Sequence, residues 1–169
     1  KEMVREGSHV IDVNVDYAGR DNAADMQKIV GLLVQQVNAP LMLDSTQPAT
    51  IEAGLKAAGG KCLINSANLE DGEEKFAVMC ELAKKYGAGL VLGTIDEDPE
   101  EAMARTRERK LSIAERMHDL AVNRYGLKEE DLMFDPLVLP VSTGMEQDKR
   151  SGLETIEGTR LISERFPNC

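Results

Sequence analysis

Parallel β/α units are what this sequence predicts, and three observations carry the prediction. Short apolar runs alternate with longer stretches of helical period along the 169 residues. The runs are almost continuously apolar, as in strands of a sheet covered by helices. No Gly/Ser linker, low-complexity stretch or composition shift divides the chain, so it reads as a single α/β unit.

The elements follow in order from the residues. Lys1 to Gly7 reads as the tail of a helix that stops at glycine. His9 to Val15 is the first strand, where Asp12, Asn14 and Asp16 alternate and so share one face. From Ala23 to Val37, the residues Met26, Ile29, Val30, Leu33 and Val37 repeat at helical spacing. Pro40 to Asp44 is the second strand. Gln47 to Ala58 follows as a helix, with Pro48 in its first turn and Gly59-Gly60 as its stop. The third strand, Lys61 to Asn65, precedes a helix from Gly72 to Tyr86 closed by Gly87. A fourth strand, Gly89 to Ile95, leads into the longest helix, Pro99 to Tyr125, which ends at Gly126. Asp131 to Asp135 is the fifth strand, stopped by Pro136, and the last helix spans Lys149 to Arg165. Strands joined through long helices pair in parallel. Two architectures satisfy that pattern: an open doubly wound sheet, or an arc of a TIM (β/α)8 barrel.

Charge and composition exclude several classes of function. A net charge of −10 argues against a sequence-independent grip on nucleic acid or on an anionic membrane. No apolar run approaches the roughly 18 residues of a membrane span, and no signal-peptide pattern opens the chain. Cys62, Cys80 and Cys169 share no C-x-x-C spacing, which favours reduced thiols and a cytoplasmic location over a disulfide frame or a zinc site. Patterns for dinucleotide loops, P-loops and zinc proteases are absent. His118 reads as a helix-surface or packing histidine, and Met26, Met42, Met79, Met103, Met117 and Met133 mostly as core filler. Arg105, Arg107, Arg109, Lys110 and Arg116 read as a solvated basic helix face paired with nearby Glu, and Glu97 to Glu101 as an acidic helix start.

The informative residues stand where the apolar strands stop. The first strand carries Asp12 and Asn14, the second ends in Asp44-Ser45, and the third in Asn65-Ser66. Thr94 and Asp96 follow the fourth, and Asp135 ends the fifth. Any one of these residues is accounted for as a cap of the next helix. Together they converge on the C-terminal mouth, where barrel enzymes keep their sites. Asp44 and Asn65 lie inside the apolar register rather than in loops. No Lys or Arg accompanies them, so a flat, nitrogen-rich, nearly neutral heterocycle fits the mouth better than a phosphate.

These stretches resemble a known family. Ile11-Asp-Val-Asn-Val-Asp16, Pro40-Leu-Met-Leu-Asp-Ser45, Gly60-Lys-Cys-Leu-Ile-Asn-Ser66, Phe134-Asp-Pro136 and Thr143-Gly-Met-Glu146 are similar to the pterin-binding methyltransferases. That family includes the methyltetrahydrofolate domain of cobalamin-dependent methionine synthase and the methyltetrahydrofolate:corrinoid/iron–sulfur protein methyltransferases. The resemblance implies the barrel, and it implies that Asp12, Asn14, Asp44, Asn65 and Asp135 bind the pterin. Ser45, Ser66, Thr94 and Asp96 are further candidates by adjacency. The implied reaction moves a methyl group from 5-methyltetrahydrofolate to the cobalt of a cob(I)alamin or corrinoid protein. Asp44 or Asp135 would tune protonation of the pterin as the catalytic candidates, with no metal held by this chain. The implied partner is a cobalamin-binding domain or corrinoid protein.

Dihydropteroate synthases share the fold, but their motifs resemble Asn-Asp where this chain has Asn65-Ser66, and Asp-x-Gly where it has Asp12-Val-Asn14. A dihydropteroate synthase-like condensation therefore stands as an alternative, as does a non-catalytic partial pterin-binding fragment. Five β/α units fall short of a full barrel of about 250 residues. Residues 1–169 are accordingly expected to form one barrel segment, incomplete at both ends. The first unit and last strands would be absent, and the rest of the barrel or a second chain would pair the open edges.

Overall fold

The computed structural model describes residues 1–100, 102–140, 142, 144 and 148–169. Among the described residues, the short helix α1 (Glu2–Arg5) precedes five strands that alternate with five further α-helices. These are β1 (Ile11–Asn14), α2 (Asn22–Leu33), β2 (Leu41–Asp44), α3 (Pro48–Ala57), β3 (Leu63–Ala67), α4 (Glu73–Tyr86), β4 (Gly89–Gly93), α5 (Arg107–Asp119), β5 (Leu132–Asp135) and α6 (Ser151–Arg165). The strands form one parallel sheet in the order β1-β2-β3-β4-β5. A doubly wound sheet reverses its order partway, because its helices cover both faces. Here every strand pairs with its predecessor, and right-handed crossovers in that order put all the helices on one side. The arrangement is a barrel arc, and its edges β1 and β5 do not pair with each other.

Residue alternation and register assign each face. Ile11, Val13, Leu41, Leu43, Ile64, Leu90, Leu92 and Leu132 point into the layer beneath the helices and are buried. They pack with Met26, Val30, Ile51, Phe76 and Met79 in one core. A Cβ on Gly54 of α3 would lie 2.9 Å from both Leu43 Cδ1 and Met26 Cγ, so glycine is what lets α3 approach β2 and α2. Among the described residues no helix covers the opposite face. Asp12 and Asn14 are exposed there, and Met133, read from sequence as core filler, is 48% exposed.

The sequence misplaces one helix start. Pro99 does not begin α5, which begins at Arg107 after the Thr106 hydroxyl accepts a hydrogen bond from the Arg109 N–H at 3.3 Å. Acidic side chains instead bend the preceding segment onto itself. Asp98 N–H donates to Asp96 Oδ1 at 3.1 Å, and Glu100 N–H to Asp98 Oδ1 at 2.9 Å. An antiparallel bridge of Ile95 with Met103 then closes the loop. Glu101 lies outside the described residues. Past α5 the helix widens into a π turn over Leu120–Arg124.

The basic stretch divides in two. Arg109 pairs with Asp96, Arg116 with Glu97 and Arg105 with Asp148, as expected of a charge-paired face. Lys110 departs from the expectation: it is buried, at 2% exposure. Arg107 binds Glu154 of α6 through Nε and Nη2, both at 2.9 Å, and through its own N–H at 3.0 Å. The Arg107 guanidinium and N–H hold the Glu154 carboxyl down at about 2. A carboxyl lowered in the folded state stabilises above its unfolded value and loses that contribution as the pH falls through the folded one. Thermal melts between about pH 6 and pH 2 should therefore show less acid destabilisation in Glu154→Gln than in the wild type, and parallel curves would refute this role.

His118 packs as expected, stacked on Phe166 at 4.2 Å with Nε2 at 2.8 Å from Glu129 Oε1. Cys62, just ahead of β3, and Cys80 on α4 are free buried thiols. Burial, with Glu81 adding to it, pushes the Cys80 thiol up to about 12, which leaves it inert. No helix among the described residues is long and apolar enough to cross a membrane.

Candidate functional site

Register gathers the strand-end polar residues on the open face. Asn14 pairs with Asp44 across β1 and β2, and Asp44 with Asn65 across β2 and β3. The three form one row at the C-terminal ends of neighbouring strands. Across β4 and β5, Gly93 pairs with Asp135, and a Cβ on Gly93 would lie 3.9 Å from the Ser66 hydroxyl. The β3–β4 register shifts between Ile64 and Ala67, and the Asn65-Ser66 peptide bond is cis. Asp12 stands one pleat below Asn14, on the same face.

Hydrogen bonds orient the row without exhausting it. Asn14 Nδ2 donates to Asp44 Oδ2 at 2.9 Å, and Asn65 Nδ2 reaches Asp12 Oδ1 at 3.4 Å. Asp135 Oδ1 accepts the Leu137 N–H at 2.8 Å, closing a turn on its own backbone. Among the described residues Asp44 Oδ1, Asn65 Oδ1 and Asp135 Oδ2 have no protein donor. The face therefore offers a set of acceptors, with no basic side chain in the row to satisfy them.

The neighbouring candidates have other duties. Ser45 is buried and donates to both oxygens of Asp16, at 2.8 and 2.9 Å, while its Oγ accepts the Gln47 N–H at 3.0 Å. It ties the loop after β1 to the start of α3. Asp16 is a part of this arrangement that sequence reasoning did not select, although its alternation with Asp12 and Asn14 marked it. Ser66 lines a small cavity of about 100 Å³ with Asp44, Ser45 and Asn65. Thr94 is wholly buried just past β4, and its hydroxyl has no partner among the described residues. Asp96 gives its carboxylate to Arg109 at 2.8 Å, so its geometry serves the loop before α5. Thr143 and Glu146 lie outside the described residues. A larger cavity, about 510 Å³, opens at the opposite ends of the strands beside Val37, Pro40, Gly60 and Lys61, and carries no carboxylate. Barrel chemistry occupies the C-terminal ends, which favours the polar row over this hollow.

An arc of a (β/α)8 barrel with a polar, acceptor-rich row at its mouth is the class that fold and site define. The chain belongs to the pterin-binding enzyme family, whose pattern, described as "Pterin binding enzyme", matches residues 1–167. Among curated proteins it is similar to methionine synthase of Mycobacterium tuberculosis (strain ATCC 25618 / H37Rv), 42% identical over 171 residues. Methionine synthase of Mycobacterium leprae (strain TN) is 39% identical over 170 residues. Each alignment covers 99% of this chain, and the chain spans 14% of the length of each relative. Two solved structures of Yersinia pestis dihydropteroate synthase share the fold. One, with a pterine-sulfa conjugate, has a TM-score of 0.61 at 19% identity; the other, with a sulfonamide drug complex, has 0.59 at 20%. Each match covers 81% of this chain and 52% of the solved chain.

Proposed function

We propose that this chain is the folate-binding part of a cobalamin-dependent methionine synthase, binding 5-methyltetrahydrofolate and presenting its methyl group to a corrinoid on a partner domain. The observation that carries the reading is the row Asn14-Asp44-Asn65 with Asp135, whose unmatched acceptors suit the N–H-rich edge of a pterin. Relatives named methionine synthase along 99% of the chain support it. In this reading the rest of the barrel flanks β1 and β5, supplied by the remainder of a longer cytoplasmic protein or by a second chain.

The corrinoid, when bound to its own domain, supplies a low-valent cobalt as the methyl acceptor, so no residue here acts as a covalent nucleophile. This chain's residues hold the pterin edge-on. Asp44 and Asn65 fix its orientation, which turns an encounter between two large groups into a positioned transfer. The departing tertiary amine needs positive charge or a proton, and Asp44 or Asp135 at the ring edge would tune that protonation. Calorimetric titration of the intact protein with methyltetrahydrofolate, followed by a demethylation assay with cob(I)alamin, tests the reading. Binding with transfer is expected. Binding without transfer would reduce the role to pterin binding, and failure to bind any pterin would remove both.

A further inference from the structure

We infer that Lys110 is a positioning residue for Asp135, fixing from beneath the turn that presents this carboxylate to the open face. The inference rests on the reading of Asp135 as a pterin contact. Lys110 Nζ donates to the Ala104 carbonyl at 2.8 Å, to the Leu137 carbonyl at 3.1 Å and to the Pro136 carbonyl. An ammonium has three protons, and main-chain oxygens take all three. Two carbonyls belong to the turn after β5 and one to the loop before α5. The cation thus joins the two segments that follow neighbouring strands.

The turn is gripped from both sides. Asp135 Oδ1 takes the Leu137 N–H at 2.8 Å, while the Leu137 carbonyl receives both Lys110 and the Thr155 hydroxyl, the latter at 2.7 Å. Leu137 has a φ of 56°, a left-handed conformation unusual for a leucine, and these bonds hold it there. With Oδ1 engaged in the turn, Oδ2 is left to face the mouth.

α6 is shaped around the lysine. A Cβ on Gly158 would stand 2.8 Å from Lys110 Cδ, so only glycine lets the stem pass. Burial pushes the Lys110 ammonium below the ordinary lysine range, opposed by the nearby charges of Asp135 and Glu154. A buried cation is costly, and an apolar residue of this length would fill the same space. What methionine would not do is hold two loops in register beside a strand-end carboxylate.

The test uses the intact protein with Lys110→Met, Asp135→Asn and the double variant, reading methyltetrahydrofolate affinity by calorimetry beside thermal melts. Each single change is expected to weaken binding about tenfold. The double is expected to be no weaker than Asp135→Asn alone, because both act through one carboxylate. A Lys110→Met protein that melts lower but binds normally overturns the inference, as do effects that multiply in the double variant. Normal binding by Asp135→Asn would overturn the reading of Asp135 as a pterin contact as well, which separates the two failures. Should Lys110→Met not fold, Gly158→Ala displaces the same stem while keeping the charge. It should weaken binding several-fold in the wild type and not in Asp135→Asn, and equal effects in both backgrounds overturn the inference.

Discussion

Asn65→Ala is expected to weaken methyltetrahydrofolate binding at least about tenfold while barely changing thermal stability. The asymmetry comes from its surroundings. Its hydrogen bond to Asp12 is long, at 3.4 Å, and the side chain is only half-buried, so folding draws little from it. A bound pterin would press against this position and desolvate it. Truncation would then leave ligand donors unpaired in a dry interface, at about 1–3 kcal/mol, of which 1.4 is a factor of ten. Affinity that stays within twofold of wild type for both Asn65→Ala and Asp135→Asn would refute the assignment of the row to the pterin.

Leu43→Ala carries the largest expected effect on stability, about 2–5 kcal/mol. Leu43 has no exposed surface, sits on a central strand and touches the space that Gly54 leaves open. Met26 packs against the same point of Gly54. Denaturant titration should show a lower midpoint with an unchanged slope. A loss below about 1 kcal/mol would mean that the helix-facing side of β2 is not the close-packed core described. Leu43 and Asp44 adjoin in sequence yet face opposite sides of the sheet, so Asp44→Asn should do the reverse and affect ligand more than fold.

Strand positions along the chain and most helix bounds were legible because two periodicities are written plainly in the chain. Ile11, Val13, Leu41 and Leu43 alternate with polar or half-buried residues, and Met26 and Val30 recur at one helical turn. The polar row was legible for the same reason: Asp44 and Asn65 interrupt apolar runs. The choice between a doubly wound sheet and a barrel arc lay outside local pattern, since pairing order is a property of space; the resemblance of the strand-end motifs implied the barrel, and the strand order bears it out. Residues 96–106 misled because acidic residues before a helix resemble a helix start, and Asp96 and Asp98 use the same carboxylates to make turns instead. Thr106 was the available signal, a hydroxyl residue just ahead of the real first turn. Lys110 was hidden inside a basic run, where sequence offers no way to tell a cation that meets carboxylates from one that meets carbonyls.

The unreversed strand order also bears on how the chain acquires its shape. Every partner is the next strand along: Ile11 meets Leu41, Met42 meets Leu63, Leu63 meets Gly89 and Leu90 meets Leu132. Each pairing closes a loop of one helix and its two connections, so the entropy of closure stays small and does not accumulate. Each strand after β1 pairs with one that was synthesised before it. Growth of the sheet is thus a vectorial process that can follow synthesis residue by residue, without waiting for the far end of the polypeptide.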